Sequence, residues 1–248
     1  LLQQVFFLFK NYPMSRDEFA DDVYGKALYD YYQHGQAEAL ILHTSYGLKE
    51  NMPVEWFFRD EEDFPELERI ALGKVRGTTL DIGAGVGSHA LNLYQRGINV
   101  CVMDNAWHCA KIMEQRGLPN VLHQSVWHPV YQRYDTILML MNGIGLVGDI
   151  SGLKRFLDLA KGMLKPGGQI LFDSSDLSYL YPDKNIYQHP DLGIIRYQYK
   201  YRGMAGEPFL WLYIDFATLT YIASDKGWKA RLLYEDPYAQ YLASLSLY

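Results

Sequence analysis

Between residues 78 and 173 short apolar runs alternate with amphipathic segments, and this alternation restricts the architecture more than any other feature. The runs lie at 78–82, 98–103, 120–123, 135–141 and 169–172. Segments with helical spacing lie between them, at 88–95, 106–116 and 150–164. Gly97 and Gly117 stop the first two, and the Pro166-Gly-Gly turn follows the third. Strands apolar along their whole length, alternating with helices, predict a parallel sheet covered on both faces. A chain of 248 residues holds one generous domain, or one domain with an added cap, and needs no disulfide or metal to stabilise it.

The flanks read differently. Residues 15–77 are expected to be mostly helical. Phe19, Val23, Tyr24, Ala27, Leu28 and Tyr31 recur at helical spacing before Gly35, and Pro65-Glu-Leu-Glu opens a short helix closed by Gly73. Upstream, Ser15-Arg-Asp-Glu18 has the pattern of a capping box, which makes Met14 an expected alternative start. Residues 1–9 are apolar but too short to span a bilayer, and they lack the basic start and cleavage site of a signal peptide. After residue 173, Tyr197, Tyr199 and Tyr201 alternate with polar residues, as Phe209, Trp211 and Tyr213 do with aliphatic ones. This predicts a β-hairpin, followed by a helix at 218–225 and closing strands at 231–234 and 241–247.

The chemistry concentrates in Leu80-Asp-Ile-Gly83-Ala-Gly85-Val-Gly87, directly after a strand and before a helix. Glycines let the backbone turn tightly and approach a ligand, and the helix start offers unpaired N–H groups to an anion. A dinucleotide loop reads G-x-G-x-x-G, but Ser88 occupies its third small position here. Asp81 precedes the loop. Asp104 ends the next strand, where a carboxylate can accept both hydroxyls of a ribose.

On these residues the chain resembles the class I S-adenosylmethionine-dependent methyltransferases. Asp81 to Gly87 matches their first motif and Asp104 their acidic ribose ligand. The apolar strand at 137–141 and Leu164-Lys-Pro-Gly-Gly168 match their fourth-strand and fifth-strand motifs. The resemblance implies an α/β fold: a doubly wound, mostly parallel seven-stranded, Rossmann-like sheet. It implies a helical cap at 1–77 and a methyltransferase domain at 78–248, with an antiparallel β-hairpin inserted at about 194–216. It implies S-adenosylmethionine as cofactor, held by Asp81, Gly83, Ala84, Gly85, Gly87 and Asp104. Asn105, Ser125, Val126, Met141 and Asn142 are the further cofactor candidates; Ser125 stands where many members carry an acid for the adenine amino group.

Tyr24, Trp56, Arg59 and Asp173 are the candidates for the methyl acceptor, and no catalytic residue is assigned. Asn142-Gly-Ile-Gly145 is not followed by the Pro-Pro-aromatic signature of nucleic-acid amino methylation. A net charge of −6 without a basic stripe argues against nucleic acid, so a small molecule is the expected acceptor. No metal-ligand spacing occurs, and Cys101 and Cys109 read as reduced thiols of a cytoplasmic protein. The same glycine loop leaves two other readings: an NAD-dependent oxidoreductase, or a binding protein that retains the cofactor pocket without turnover. The chain holds 21 tyrosines, many of them at 24–32 and 179–213, segments suited to an acceptor pocket or an oligomer interface.

Overall fold

The computed structural model describes residues 22–35, 37–128, 130–180 and 193–248. The capping box at Ser15 and the region around Met14 lie outside these residues. The described chain forms two sheets. The larger contains β3 (Thr79–Ile82), β4 (Val100–Asp104), β5 (Val121–His123), β6 (Tyr134–Met139), β7 (Leu164–Ser175), β11 (Trp228–Glu235) and β12 (Gln240–Leu247), in the order β11-β12-β7-β6-β3-β4-β5. β12 runs antiparallel to both neighbours, and the other pairings are parallel. Strand order reverses between β3 and β6, so the carboxyl ends of these two strands border the crevice where open α/β sheets bind ligands.

The helices follow the apolar spacing. α3 (Ser88–Gln95), α4 (Trp107–Gln115) and α5 (Ile150–Met163) connect successive parallel strands, and α6 (Phe216–Asp225) precedes β11. In α5, Leu153, Phe156, Leu157 and Ala160 are fully buried on one side. Trp228 is also buried and donates its indole N–H to the Leu157 carbonyl at 3.2 Å. β3 and β4 are buried along their whole length, which accounts for the unbroken apolar runs. The Pro166-Gly-Gly turn is absorbed into β7 as an irregularity: Tyr134 pairs with Leu164, but Thr136 pairs with Gln169.

The first stretch is less helical than the mostly helical cap expected. α1 (Val23–His34) and α2 (Glu66–Lys74) are helical, and short 3-10 turns span Val54–Phe58 and Glu61–Asp63. Between α1 and the first turn, however, β1 (Leu40–Thr44) and β2 (Lys49–Met52) form an antiparallel hairpin. The expected aromatic hairpin is also present, as β8 (Ile194–Tyr201), β9 (Met204–Ala205) and β10 (Phe209–Leu212). It pairs with β1, giving a second antiparallel sheet of order β10-β8-β1-β2. The cap is thus a mixed element drawn from both flanks. Leu40, Leu42 and Thr44 are buried at alternate positions, and the partners of Leu42 and Thr44 on β8, Tyr199 and Tyr197, arrive from more than half the chain away.

Candidate active site

The glycine loop leaves β3 with Gly83, Gly85 and Gly87 at φ +71°, +56° and +79°. These left-handed conformations favour glycine over every other residue. The Gly83 and Ala84 N–H groups both donate to the Met103 carbonyl, tying the loop to the end of β4. Asp104 completes the tie. Its two carboxylate oxygens accept from the Gly85 and Ala106 N–H groups, each at 2.8 Å. Burial pushes the Asp104 carboxyl up to about 7 against the pull of those two hydrogen bonds.

Asp81 lies beneath the loop and is 2% exposed. Its Oδ2 is buried with no hydrogen-bond partner, and burial lifts the carboxyl to about 6 while the charge of His89 pulls it down. A buried carboxylate oxygen left bare is costly unless a ligand completes it. Glu68 bridges Arg59 and His89. It accepts from Arg59 Nη2 at 3.0 Å and pairs with His89 Nε2 at 2.7 Å. Burial would raise the Glu68 carboxyl, but these partners hold it below its usual range. Arg59 also donates from Nε to the Trp56 carbonyl and stacks over the Trp56 ring at 5.4 Å.

The third wall follows β6. Met141 and Asn142 both have positive φ, +64° and +55°. The turn is braced from below: the Asn142 N–H donates to Asp173 Oδ2 at 2.8 Å, Gln240 donates to the same oxygen, and Ser175 donates to Asn142 Oδ1. Burial raises the Asp173 carboxyl to about 6. Two adjacent non-glycine residues in the left-handed region are sparsely populated backbone, a pattern that collects at functional sites.

These walls enclose a cavity of about 700 Å³ that runs from the glycine loop to the aromatic face of the second sheet. Tyr24 stacks on Tyr199 at 5.1 Å, Tyr199 stacks on Phe209 at 5.3 Å, and the Tyr197 and Tyr213 hydroxyls share a hydrogen bond of 3.0 Å. Asp22 pins the cap over the site. It caps α1 through the Gly25 N–H and accepts from both the backbone and the ring of His108 at the start of α4.

A family model described as a methyltransferase domain matches residues 50–219. The chain belongs to the class I S-adenosylmethionine-dependent methyltransferases. It is similar to a methyltransferase of Bacteroides fragilis solved in complex with S-adenosyl-L-homocysteine. The identity is 37% and the TM-score 0.86, covering 92% of this chain and 96% of that one. The fold is also shared at lower identity with the CcbJ methyltransferase of Streptomyces caelestis (13%, TM-score 0.57, 75% of this chain and 94% of that one). A methyltransferase of Clostridium acetobutylicum is similar at 15% identity and TM-score 0.56, covering 75% and 93%. No functionally curated protein matches the chain in sequence. The cofactor of this methyltransferase is S-adenosylmethionine, and the bare buried Asp81 oxygen, the glycine cradle and Asp104 are a donor and acceptor set suited to it.

Of the expected cofactor residues, Asp81, Gly83, Ala84, Gly85, Asp104 and Asn105 line the cavity of the methyltransferase, as do Met141 and Asn142 across from them. Gly87 does not: it starts α3 and faces Leu118 and Met113 from below. Ser125 and Val126 also stand off the wall. Ser125 Oγ accepts from the Trp127 N–H, and Val126 packs into the main core. Among the acceptor candidates Tyr24, Trp56 and Arg59 line the cavity, with Trp56 exposed at its rim. Arg59 is already neutralised by Glu68, so it is not the open carboxylate receptor its sequence context suggested. Asp173 is fully buried under Asn142 and positions that turn.

The sequence reading passed over Glu68, His89, Asp22 and Glu50. His89 follows the loop by two residues, within the first turn of α3, and that placement was the available signal. Among the described residues, no group of three or more His, Cys, Asp or Glu is placed to hold a metal ion. No helix there is long and apolar enough to cross a membrane.

Proposed function

We propose that this methyltransferase acts on a small organic acceptor held between the glycine-loop edge and the aromatic face of the cap sheet. The observation that carries the reading is the single cavity joining the two, of a size usual for small-molecule sites. Net charge supports it too, since a chain at −6 is a poor match for nucleic acid. The two free cysteines, both buried, support reading the enzyme as cytoplasmic.

In this reading Asp81 takes the cofactor's ammonium, and the loop amides with the start of α3 take its carboxylate. Asp104 accepts the ribose hydroxyls, and Asn105 and Ala106 border the adenine. When bound, S-adenosylmethionine supplies a methyl group already activated by a positive sulfur. The protein's part is to hold the acceptor nucleophile in line with that methyl and to keep water out. Positioning of this kind can supply about 7–11 kcal/mol of the barrier reduction. The cap sheet and α1 cover part of the carboxyl edge, which narrows the access of competing nucleophiles.

The test is incubation with labelled cofactor and a deproteinised small-metabolite extract, followed by mass spectrometry. A new small molecule heavier by one methylene supports the reading. Label found only in added protein or nucleic acid refutes it.

A further inference from the structure

The second sheet sorts its charges between its two faces. Cross-strand pairing sets Glu50 opposite Leu42 and Leu42 opposite Tyr199, and it sets Tyr197 opposite Phe209. Directly paired residues point to the same side of a sheet, so Glu50 shares the aromatic face that lines the cavity. The intervening positions carry Lys49, Arg196 and Lys200, which alternation places on the opposite face. Glu207 lines the cavity just before β10. Neither Glu50 nor Glu207 has an ion-pair or hydrogen-bond partner among the described residues.

The cavity's positive groups are spoken for. Among the described residues its wall holds only Arg59 and His89 as basic side chains, and Glu68 binds both. The charge of Glu50 reaches the buried Tyr197–Tyr213 hydroxyl pair, where it adds to burial in keeping both phenols protonated. Aromatic faces attract cations through their quadrupoles, and an unmatched carboxylate beside them adds direct charge.

We propose that the acceptor is an organic amine that enters as its ammonium ion, its apolar body against Tyr199, Phe209 and Trp211 and its nitrogen attracted by Glu50 and Glu207. This rests on the small-molecule methyltransferase reading and narrows it to one acceptor class. The ammonium gives one proton to water at the cavity mouth, where both glutamates are exposed. The freed nitrogen lone pair forms the nitrogen–carbon bond as the sulfur–carbon bond breaks. The electron pair of the broken bond stays on sulfur as a neutral thioether, and the positive charge passes to the methylated nitrogen.

The test uses the full protein loaded with S-adenosylhomocysteine, titrated calorimetrically with phenethylamine, phenethyl alcohol and phenylacetate. The three probes share an aromatic body and differ in charge. Phenethylamine is expected to bind at least about tenfold more tightly than the alcohol, with phenylacetate weakest. Glu50→Gln and Glu207→Gln, both at exposed positions, are expected to bring the amine toward the alcohol's affinity and leave the alcohol unchanged. Equal affinity for amine and alcohol, tighter binding of phenylacetate, or no binding by any probe overturns the proposal. Failure of S-adenosylhomocysteine to load is a different result, and overturns the assignment of the cofactor site beneath it.

Discussion

Cofactor binding is expected to weaken on acidification through two separable carboxylates. In the free protein burial holds Asp81 at about 6 and Asp104 at about 7. A bound ammonium favours ionised Asp81, and ribose hydroxyls favour ionised Asp104, so binding releases protons and affinity rises with pH. For Asp81 the ionised fraction falls from about 0.9 at pH 7 to about 0.1 at pH 5, which weakens affinity about tenfold, or about 1.4 kcal/mol. Asp104 goes from about one half ionised to about one hundredth, a further factor of about fifty. The groups facing Asp81 are His89 on α3, with Glu68 and Arg59 behind it, and Asp104 across the loop. A ligand that lacks the amino-acid end separates the two effects. 5′-Methylthioadenosine keeps the ribose and drops the ammonium, so between pH 7 and pH 5 S-adenosylmethionine should lose about tenfold more affinity than it does. Titration calorimetry in buffers of different ionisation enthalpy, on the wild type and on Asp81→Asn, measures both affinity and proton release. In Asp81→Asn the two ligands should follow the same pH dependence. Equal losses for both ligands in the wild type would refute the role of Asp81.

Four other outcomes follow from the same geometry. Without ligand, the raised values of Asp81, Asp173 and Asp104 contribute stability in full below pH about 4 and lose it as pH rises through about 6 and 7. The rise in Tm on adding cofactor is therefore expected to be larger at pH 7.5 than at pH 5 by differential scanning fluorimetry, with buffer held at about constant ionic strength. Asp104→Ala should weaken cofactor binding about ten- to a hundredfold by calorimetry, since a charge-assisted hydrogen bond contributes about 1.5–3 kcal/mol. Glu68→Ala strands Arg59 and His89 in a buried setting and should cost about 3 kcal/mol, a Tm drop of roughly 6–12 °C by thermal melt. Gly145→Ala would drive a Cβ into the Trp211 indole, so tryptophan fluorescence should shift and turnover should fall while cofactor affinity stays within about twofold.

The parts legible in the sequence are those whose signal is local. β3 and β4 are buried along both faces, so their residues read as unbroken apolar runs. The glycine loop and Asp104 read as a motif because backbone conformation and ligand approach both demand them there. The β1–β2 hairpin was less legible. Ile41 interrupts the alternation of Leu40, Leu42 and Thr44, and the strand that completes their burial is β8. Arg59 read as an open cation because Glu68, its neutralising partner, sits on another element, α2. Ser125 read as an adenine contact by its place in the motif order. In the fold Ser125 lies off the cavity wall, and its hydroxyl accepts from the Trp127 N–H.

The turn after β6 joins the two halves of the site. Its backbone is held in the left-handed region by Asp173, Gln240 and Ser175 from the core side. Met141 and Asn142 face the cofactor edge of the cavity from one end of this turn. Three residues on, Gly145 presents no side chain, and the Trp211 indole lies where a Cβ there would be. Trp211 belongs to β10, the edge strand of the cap sheet. The braced turn therefore ties the cofactor edge to the acceptor wall at Trp211, alongside the Asp22–His108 contact that pins the cap. A transfer that needs nucleophile, methyl carbon and sulfur in line tolerates little drift between the two. Asp173 itself does not line the cavity; it accepts from the Asn142 N–H and so braces the turn that borders both ends of it.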